Sequence, residues 1–463
     1  MKKWICGFAV LAVAVLCVIC IAAADDDSYY MSEEVGGVQV RIEYSFLEDG
    51  SASFDLFSPQ TLHEGDEERM KKLKKYKIPN QIDGRPVTRI GFNAFGNSSY
   101  NRNLETIILP DTVTDIDGRA FAACHALKSI RLPEGLKHLG YQAFSGNYGL
   151  KKITFPESLV SIDGNPFSWS AMPKITISKK NPVFRIRNDA LINEEEKTLI
   201  AYLGKKEEYS IEEGITGIAA GAFSGVEKLT KLTIPDSVRS IGKEAFSGCN
   251  NLASVRMPKG LEEIGDEAFS TCWSLLELCL PEHVSVIGVN PFKGCCVTDK
   301  ADNIISQLHL TLSPENRHLQ IVDDALFSVD DHRLVWFFNT NLKEYTVPDG
   351  TLIIGRYAFI NPTYVDILTI SDSVTCLEPY AVYRMRRLHK LVIGSGIKVL
   401  GMGSVCQNTS LITVVLSEGL EKIENSAIST CENLKEINFP RSLKQIDEYA
   451  FYDCPLVQVP ETY

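Results

Sequence analysis

Apolar residues recur along this chain in one phrase, Pro-x-x-Val-x-x-Ile-Gly-x-x-Ala-Phe-x-x-Cys-x-x-Leu-x-x-Ile-x-Leu, with polar residues filling the gaps. Pro110, Pro133 and Pro156 open three copies 23 residues apart, and Pro235, Pro258 and Pro281 open three more. Glu212, Pro348, Ser371, Gly394, Ser417 and Pro440 keep the same phase where the proline is present and where it is lost. A slightly longer early copy runs from Gly84 to Phe95. A fixed period of this length predicts a repeat solenoid, because one such unit buries its apolar face only by stacking on its neighbours.

Each turn divides into elements. Leu-x-x-Ile-x-Leu, as in Leu127 to Leu132, alternates as a short half-buried strand. The proline that follows has no N–H to offer a ladder, so it ends the strand and turns the chain. Val-x-x-Ile-Gly predicts a second extended piece, its glycine expected to take a turn conformation closed to other residues. Ala-Phe sets a small residue beside a large one, so phenylalanines of successive turns are expected to stack into a spine. Short strands pairing in parallel from turn to turn complete the predicted architecture.

Two stretches break the period alike. Residues 178–211 and 313–347 align through Ser178/Ser313, Asn181/Asn316, Ala190/Ala325 and Leu199/Leu334, each after an Asn-Pro-Phe at Asn165–Phe167 and Asn290–Phe292. They read as wider turns carrying a hairpin, with an extra loop at Lys300–Gln307 before the second.

At the amino end, Lys2 and Lys3 precede an apolar run from Trp4 to Ile21 and then Ala22-Ala23-Ala24. That is the form of a secretory signal peptide over residues 1–24, and it leaves no membrane span once removed. Residues 25–75 follow as a cap and charged linker. Val35–Phe46 and Ser51–Phe57 flank an acidic turn as a hairpin suited to covering the first turn of the solenoid, which occupies 76–463. The stretch Glu64–Lys77 reads as a solvated helix or loop. At the other end, "CPLVQVPETY" reads as a last strand, with no hydrophobic tail or sorting motif.

The formal charge of −12 argues against nucleic acid as a partner, since phosphate binding needs a basic face. Six of the 13 cysteines share one repeat position: Cys124, Cys249, Cys272, Cys295, Cys431 and Cys454, with Asn147 and Asn408 in that place elsewhere. They are expected to pack inward as a ladder. Cys279, Cys296, Cys376 and Cys406 lie off it and read as surface thiols. Beyond the signal segment, where Cys17 and Cys20 fall three apart, no Cys-x-x-Cys pair occurs, and no nucleophile elbow, phosphate-cradling loop or His-Glu-x-x-His is present, so no catalytic residue, metal or cofactor is expected. Asn97 and Asn408 open sequons.

The repeats "LPDTVTDIDGRAFAACHALKSIRLPEGLKHLGYQAF" and "IPDSVRSIGKEAFSGCNNLASVRMPKGLEEIGDEAF" resemble BspA-type leucine-rich repeats, a family of exported and surface proteins of host-associated microbes. The resemblance covers about Tyr76 to Val459. It implies a leucine-rich-repeat solenoid that is secreted or held at the cell surface, acting as an adhesin or protein-binding scaffold for extracellular host or microbial proteins. It carries over no catalytic residues. The alternative is a secreted glycan- or mucin-binding module.

Between the inward positions of the first strand, outward residues should stack into a basic and hydroxyl stripe. It comprises Arg131, Lys152, Thr154, Lys174, Thr176, Lys231, Thr233 and Arg256, with Ser129 and Ser254 beside them. In an acidic chain this is the expected contact face for an acidic protein or glycan patch. Few aromatics project there, so stacking on sugar rings is not the expected mode.

Overall fold

In the computed structural model, residues 29–35, 38–59, 69, 71–96, 99–298, 304–338, 342–360 and 364–460 are described. The signal segment and Asn97 lie outside them. The chain winds as a solenoid of short strands stacked in parallel, as the period predicts.

The Ile-x-Leu strands form one ladder. Thr106–Ile108 lies between Lys75–Lys77 and Ser129–Ile130, and Lys231–Thr233 lies between Glu208–Ser210 and Ser254–Arg256. In the carboxy-terminal half, Glu344–Thr346, Ile367–Thr369, Lys390–Ile393, Thr413–Leu416 and Glu436–Ile437 pair in sequence. Lys75–Lys77 is thus a strand, where a solvated helix or loop was expected. Tyr76, buried against Phe57 at 4.3 Å between ring centroids, draws it into the stack. The Val-x-x-Ile strands form a second ladder, typified by Asp115–Ile116, His138–Leu139 and Ser161–Ile162. A third ladder was not foreseen: Phe359–Ile360, Val382–Tyr383, Val405–Cys406 and Ile428–Ser429 pair in parallel. Here Val382, Val405 and Ile428 replace the usual phenylalanine, and β-branched residues favour extended backbone.

The phenylalanine spine is real but segmented. Phe95, Phe121 and Phe144 stack with centroids 5.4 Å apart at each step, and Phe223, Phe246 and Phe269 at 5.1 and 5.0 Å. The buried apolar side chains fall into three clusters that meet at the two wide turns. Those turns are antiparallel meanders, as expected of a hairpin. Phe184–Arg187, Ala190–Asn193 and Thr198–Tyr202 form the first, and Leu319–Val322, Ala325–Ser328 and Arg333–Phe337 the second. Asn181 fastens the first by donating to the Leu159 carbonyl at 2.7 Å and accepting from the Phe184 N–H at 2.8 Å. Asn316 does the same with Val284 and Leu319.

At the start, β1 (Tyr29–Val35), β2 (Val38–Phe46) and β3 (Ala52–Pro59) form an antiparallel sheet, and β3 lies parallel on Arg85–Ile90. Val38, Val40 and Ile42 on its inward face are buried. At the far end, among the described residues, no strand forms after Gln445–Ile446. Pro455 to Pro460 run as a turn and irregular chain, against the expected last strand, and its two prolines have no N–H to give a ladder.

The glycine of Ile-Gly serves a different purpose from the one expected. Gly140, Gly242, Gly265 and Gly288 do not have positive φ. A Cβ at Gly140 would stand 2.2 Å from the Gly118 nitrogen, and one at Gly265 2.6 Å from that of Lys243, so close backbone approach selects glycine. The left-handed conformation falls on two other positions of the turn. One holds Asn93, Arg119, Gln142, Gly221, Glu244, Glu267, Tyr357, Tyr380 and Gly403, and the other Ala123, Gly146, Gly248, Thr271, Gly294 and Arg384.

Candidate interaction surfaces

Seven of the eight stripe residues lie on short strands and Arg131 directly follows one, Ser129–Ile130, so alternation along the chain points them outward. Lys152 pairs in register with Lys174 and Thr154 with Thr176, all four exposed. Lys231 follows Glu208 in register, and Thr233 stands opposite Arg256. The stripe is in three pieces, since the sheet ending at Ser129–Ile130 does not pair with Lys152–Phe155, nor the sheet ending at Lys174–Ile177 with the one starting at Glu208–Ser210. Before the third piece, the first meander breaks the run. Part of its charge is also compensated: Lys231 lies 3.3 Å from Glu208, Arg256 3.1 Å from Asp236, and Arg131 3.9 Å from Asp111. Lys152 and Lys174 have no carboxylate at ion-pair distance among the described residues, which makes them the centre of the positive field.

The ladder cysteines are buried, and the structure adds why cysteine alternates with asparagine. Cys249, Cys272 and Cys295 donate S–H to the carbonyls of Phe223, Phe246 and Phe269 at 3.2, 3.2 and 3.0 Å. Asn147 and Asn408 donate their amides to the carbonyls of Phe121 and Val382 at 2.8 and 3.0 Å. Both side chains donate to the carbonyl at the Ala-Phe corner, the cysteines as second donors, since the Phe223, Phe246 and Phe269 carbonyls also accept the N–H groups of Val226, Cys249 and Cys272. Burial pushes the thiols of Cys124 and Cys249 up to about 12, so neither is reactive. Among the off-ladder cysteines, Cys279 and Cys376 are exposed and Cys296 half-buried, but Cys406 is buried, so its reading as a surface thiol is wrong. Cys406 lies in the third ladder between Tyr383 and Ser429, is 5% exposed, and its sulfur sits 3.0 Å from the Ser429 hydroxyl. The ten described cysteines are unbridged. Asn408, with its amide buried, is closed to glycosylation.

An aromatic and cationic ladder went unforeseen. Tyr357 and Tyr380 stack 5.2 Å apart with rings 8° from parallel, and Tyr383 meets Tyr380 edge-on at 5.6 Å. The Arg356 guanidinium lies 5.4 Å from the Tyr357 centroid and 5.5 Å from that of Tyr380, and Arg384 covers Tyr383 at 5.8 Å. The sequence signal was available: Tyr357 and Tyr380 share one repeat phase, in the left-handed position before the alanine.

No group of three or more potential metal-ligating side chains occurs among the described residues, and no helix there is long and apolar enough to cross a membrane.

These ladders and outward faces define a parallel β-solenoid scaffold. The profile of the BspA type leucine rich repeat region matches in six copies over residues 68–199, 197–306 and 335–458, and the chain belongs to that family. None of the curated protein sequences compared with this chain matches it. Among solved structures it is similar to a leucine rich cell surface protein from Faecalibacterium prausnitzii, 23% identical over 92% of this chain and 93% of that one, with a TM-score of 0.43. A leucine-rich repeat protein from Eubacterium ventriosum is 18% identical over 94% and 98%, with a TM-score of 0.37. The pneumococcal vaccine antigen PcpA is 16% identical over 89% and 94%, with a TM-score of 0.39.

Proposed function

We propose that the chain is exported through its signal segment and works at the cell surface as an adhesin or protein-binding scaffold, without catalysis. The observation that carries this reading is the exposed first ladder. There Lys152 and Lys174 stack in register beside Thr154 and Thr176 on a two-stranded parallel sheet of an acidic protein. Such a face offers a complementary acidic protein patch both charge and hydroxyl donors at fixed spacing, and the fixed spacing limits the entropy lost on binding. The expected partners are extracellular host or microbial proteins.

A pull-down with residues 25–463 against extracellular-matrix proteins and mucins tests it. Saturable binding should weaken with salt. It should fall at least tenfold in the double variant Lys152→Glu, Lys174→Glu, and less when Lys231 and Arg256, already paired with carboxylates, are reversed. Retention of full binding by the first double variant would remove the stripe from the argument, and binding to none of these proteins would remove the adhesin.

A further inference from the structure

The two wide turns are internal copies, so the steps that follow them should be built alike, and they are not. At the first, Asn165 zips the turns together. Its N–H donates to the Ala220 carbonyl at 2.8 Å, its Nδ2 to the Gly221 carbonyl at 2.9 Å, and its Oδ1 accepts the Phe167 N–H at 2.9 Å. Tyr141 fills the remaining gap and hydrogen-bonds Glu244 at 3.2 Å.

At the second step the counterpart of Asn165 is Asn290, in the left-handed region at φ 49°. It is 1% exposed, and neither its Oδ1 nor its Nδ2 has a partner. Asp266 stands where Tyr141 did, and Arg356 where Ala220 did. A cleft of about 460 Å³ opens here, lined by Asp266, Val289, Arg333, Arg356 and Glu378 among others. Its polar groups converge and are held. Asp266 Oδ1 accepts the Val289 N–H at 2.7 Å, and Glu378 accepts from Arg333 at 2.5 Å and from the Arg356 N–H at 2.8 Å. The Nε of Arg356 is buried and donates to nothing, while its guanidinium rests against the Tyr357–Tyr380 ladder.

Buried polar atoms without partners are costly, and Arg356 in the lining of the cleft, with Asn290 next in the chain after its Val289, marks a place built for an outside group. We propose that this cleft binds one pyranose unit of a glycan. Its size falls within the usual range for small-ligand sites. The two carboxylates accept hydroxyl protons, Arg333 and Arg356 donate, and Ile287, Val335 and Pro379 supply an apolar wall for a ring's C–H edge. A polyhydroxylated ring uses acceptors and donors together. With Asp266 and Glu378 balanced by Arg333 and Arg356 the cleft offers an acidic peptide no net positive charge, and the strand ending its sheet here, Val286–Ile287, is only two residues long, too short to seat an extended chain.

The test is a saturation-transfer NMR titration of residues 25–463 with the methyl pyranosides of glucose, galactose, mannose, N-acetylglucosamine and N-acetylgalactosamine. Hexa-aspartate serves as the peptide probe. At least one pyranoside should bind saturably. Arg356→Ala should weaken it tenfold or more, and so should Asp266→Tyr, which restores the filler of the first step, with melting temperatures near wild type. Lys152→Glu should leave it unchanged, which separates this site from the stripe. Saturation by no pyranoside, undiminished binding by a folded Arg356→Ala, or displacement of the sugar by hexa-aspartate would overturn the proposal.

Discussion

Cys249, Cys272 and Cys295 each place a thiol under the carbonyl of a phenylalanine in the turn before, and that contact explains a column that composition alone made ambiguous. The Phe223 carbonyl also accepts the Val226 N–H at 3.1 Å, so the thiol is its second donor. Cys249→Asn is therefore expected to keep the stability of the wild type, and Cys249→Val, similar in bulk but without a donor, to lose at most about 1 kcal/mol in chemical denaturation. The left-handed positions lead to a prediction of the opposite sign. Thr271 is β-branched at φ 57° in a column where Gly248 and Gly294 also stand. Thr271→Gly should stabilise the fold by about 1 kcal/mol, where glycine ordinarily weakens a chain. His138 gives a pH dependence. Its hydrogen bond to Asp163 at 3.0 Å, aided by the charges of Asp115 and Asp117, raises it above 6.5 despite partial burial. A raised folded-state value means the stabilisation is complete below the unfolded value and is lost as pH rises through the folded one. The melting temperature should accordingly fall less in His138→Gln than in wild type between about pH 5 and about pH 8.

At the scale of the element, a strand of two to four residues has no independent stability; each exists through the ones above and below it. Removing one spine ring therefore withdraws contacts from two neighbours at once. Phe246, fully buried between Phe223 and Phe269, should cost about 3–5 kcal/mol as Phe246→Ala. Because the core is divided at the meanders, the accompanying rise in amide exchange should be confined largely to the middle cluster. Uniform acceleration along the whole chain would contradict that division. The strand and spine phases were legible as soon as the period was recognised. The third ladder was less so. It arises where Val382, Val405 and Ile428 replace phenylalanine, a substitution that looks like neutral variation until parallel neighbours pair with it.

For the whole molecule, the periodic sequence determined the architecture. A 23-residue repeat with fixed apolar columns can bury its surface only by stacking, so the parallel solenoid, the buried cysteine column and the two equivalent meanders followed from spacing alone. The hairpin of β2 and β3 followed from alternation while β1 went unread, and deletion of the three strands should expose Phe54 and the edge of Arg85–Ile90 and produce aggregates on size exclusion. What spacing could not determine was everything that depends on contacts between distant turns. Which stripe cations are compensated depends on carboxylates about one turn away, at Asp111, Glu208 and Asp236. That the first step closes through Asn165 and Tyr141 while the second stays open around Asn290 and Arg356 depends on how turns separated by a meander meet. A repeat encodes its own shape through local period, but a site is built from the departures from that period, and only the tertiary structure brings those departures together.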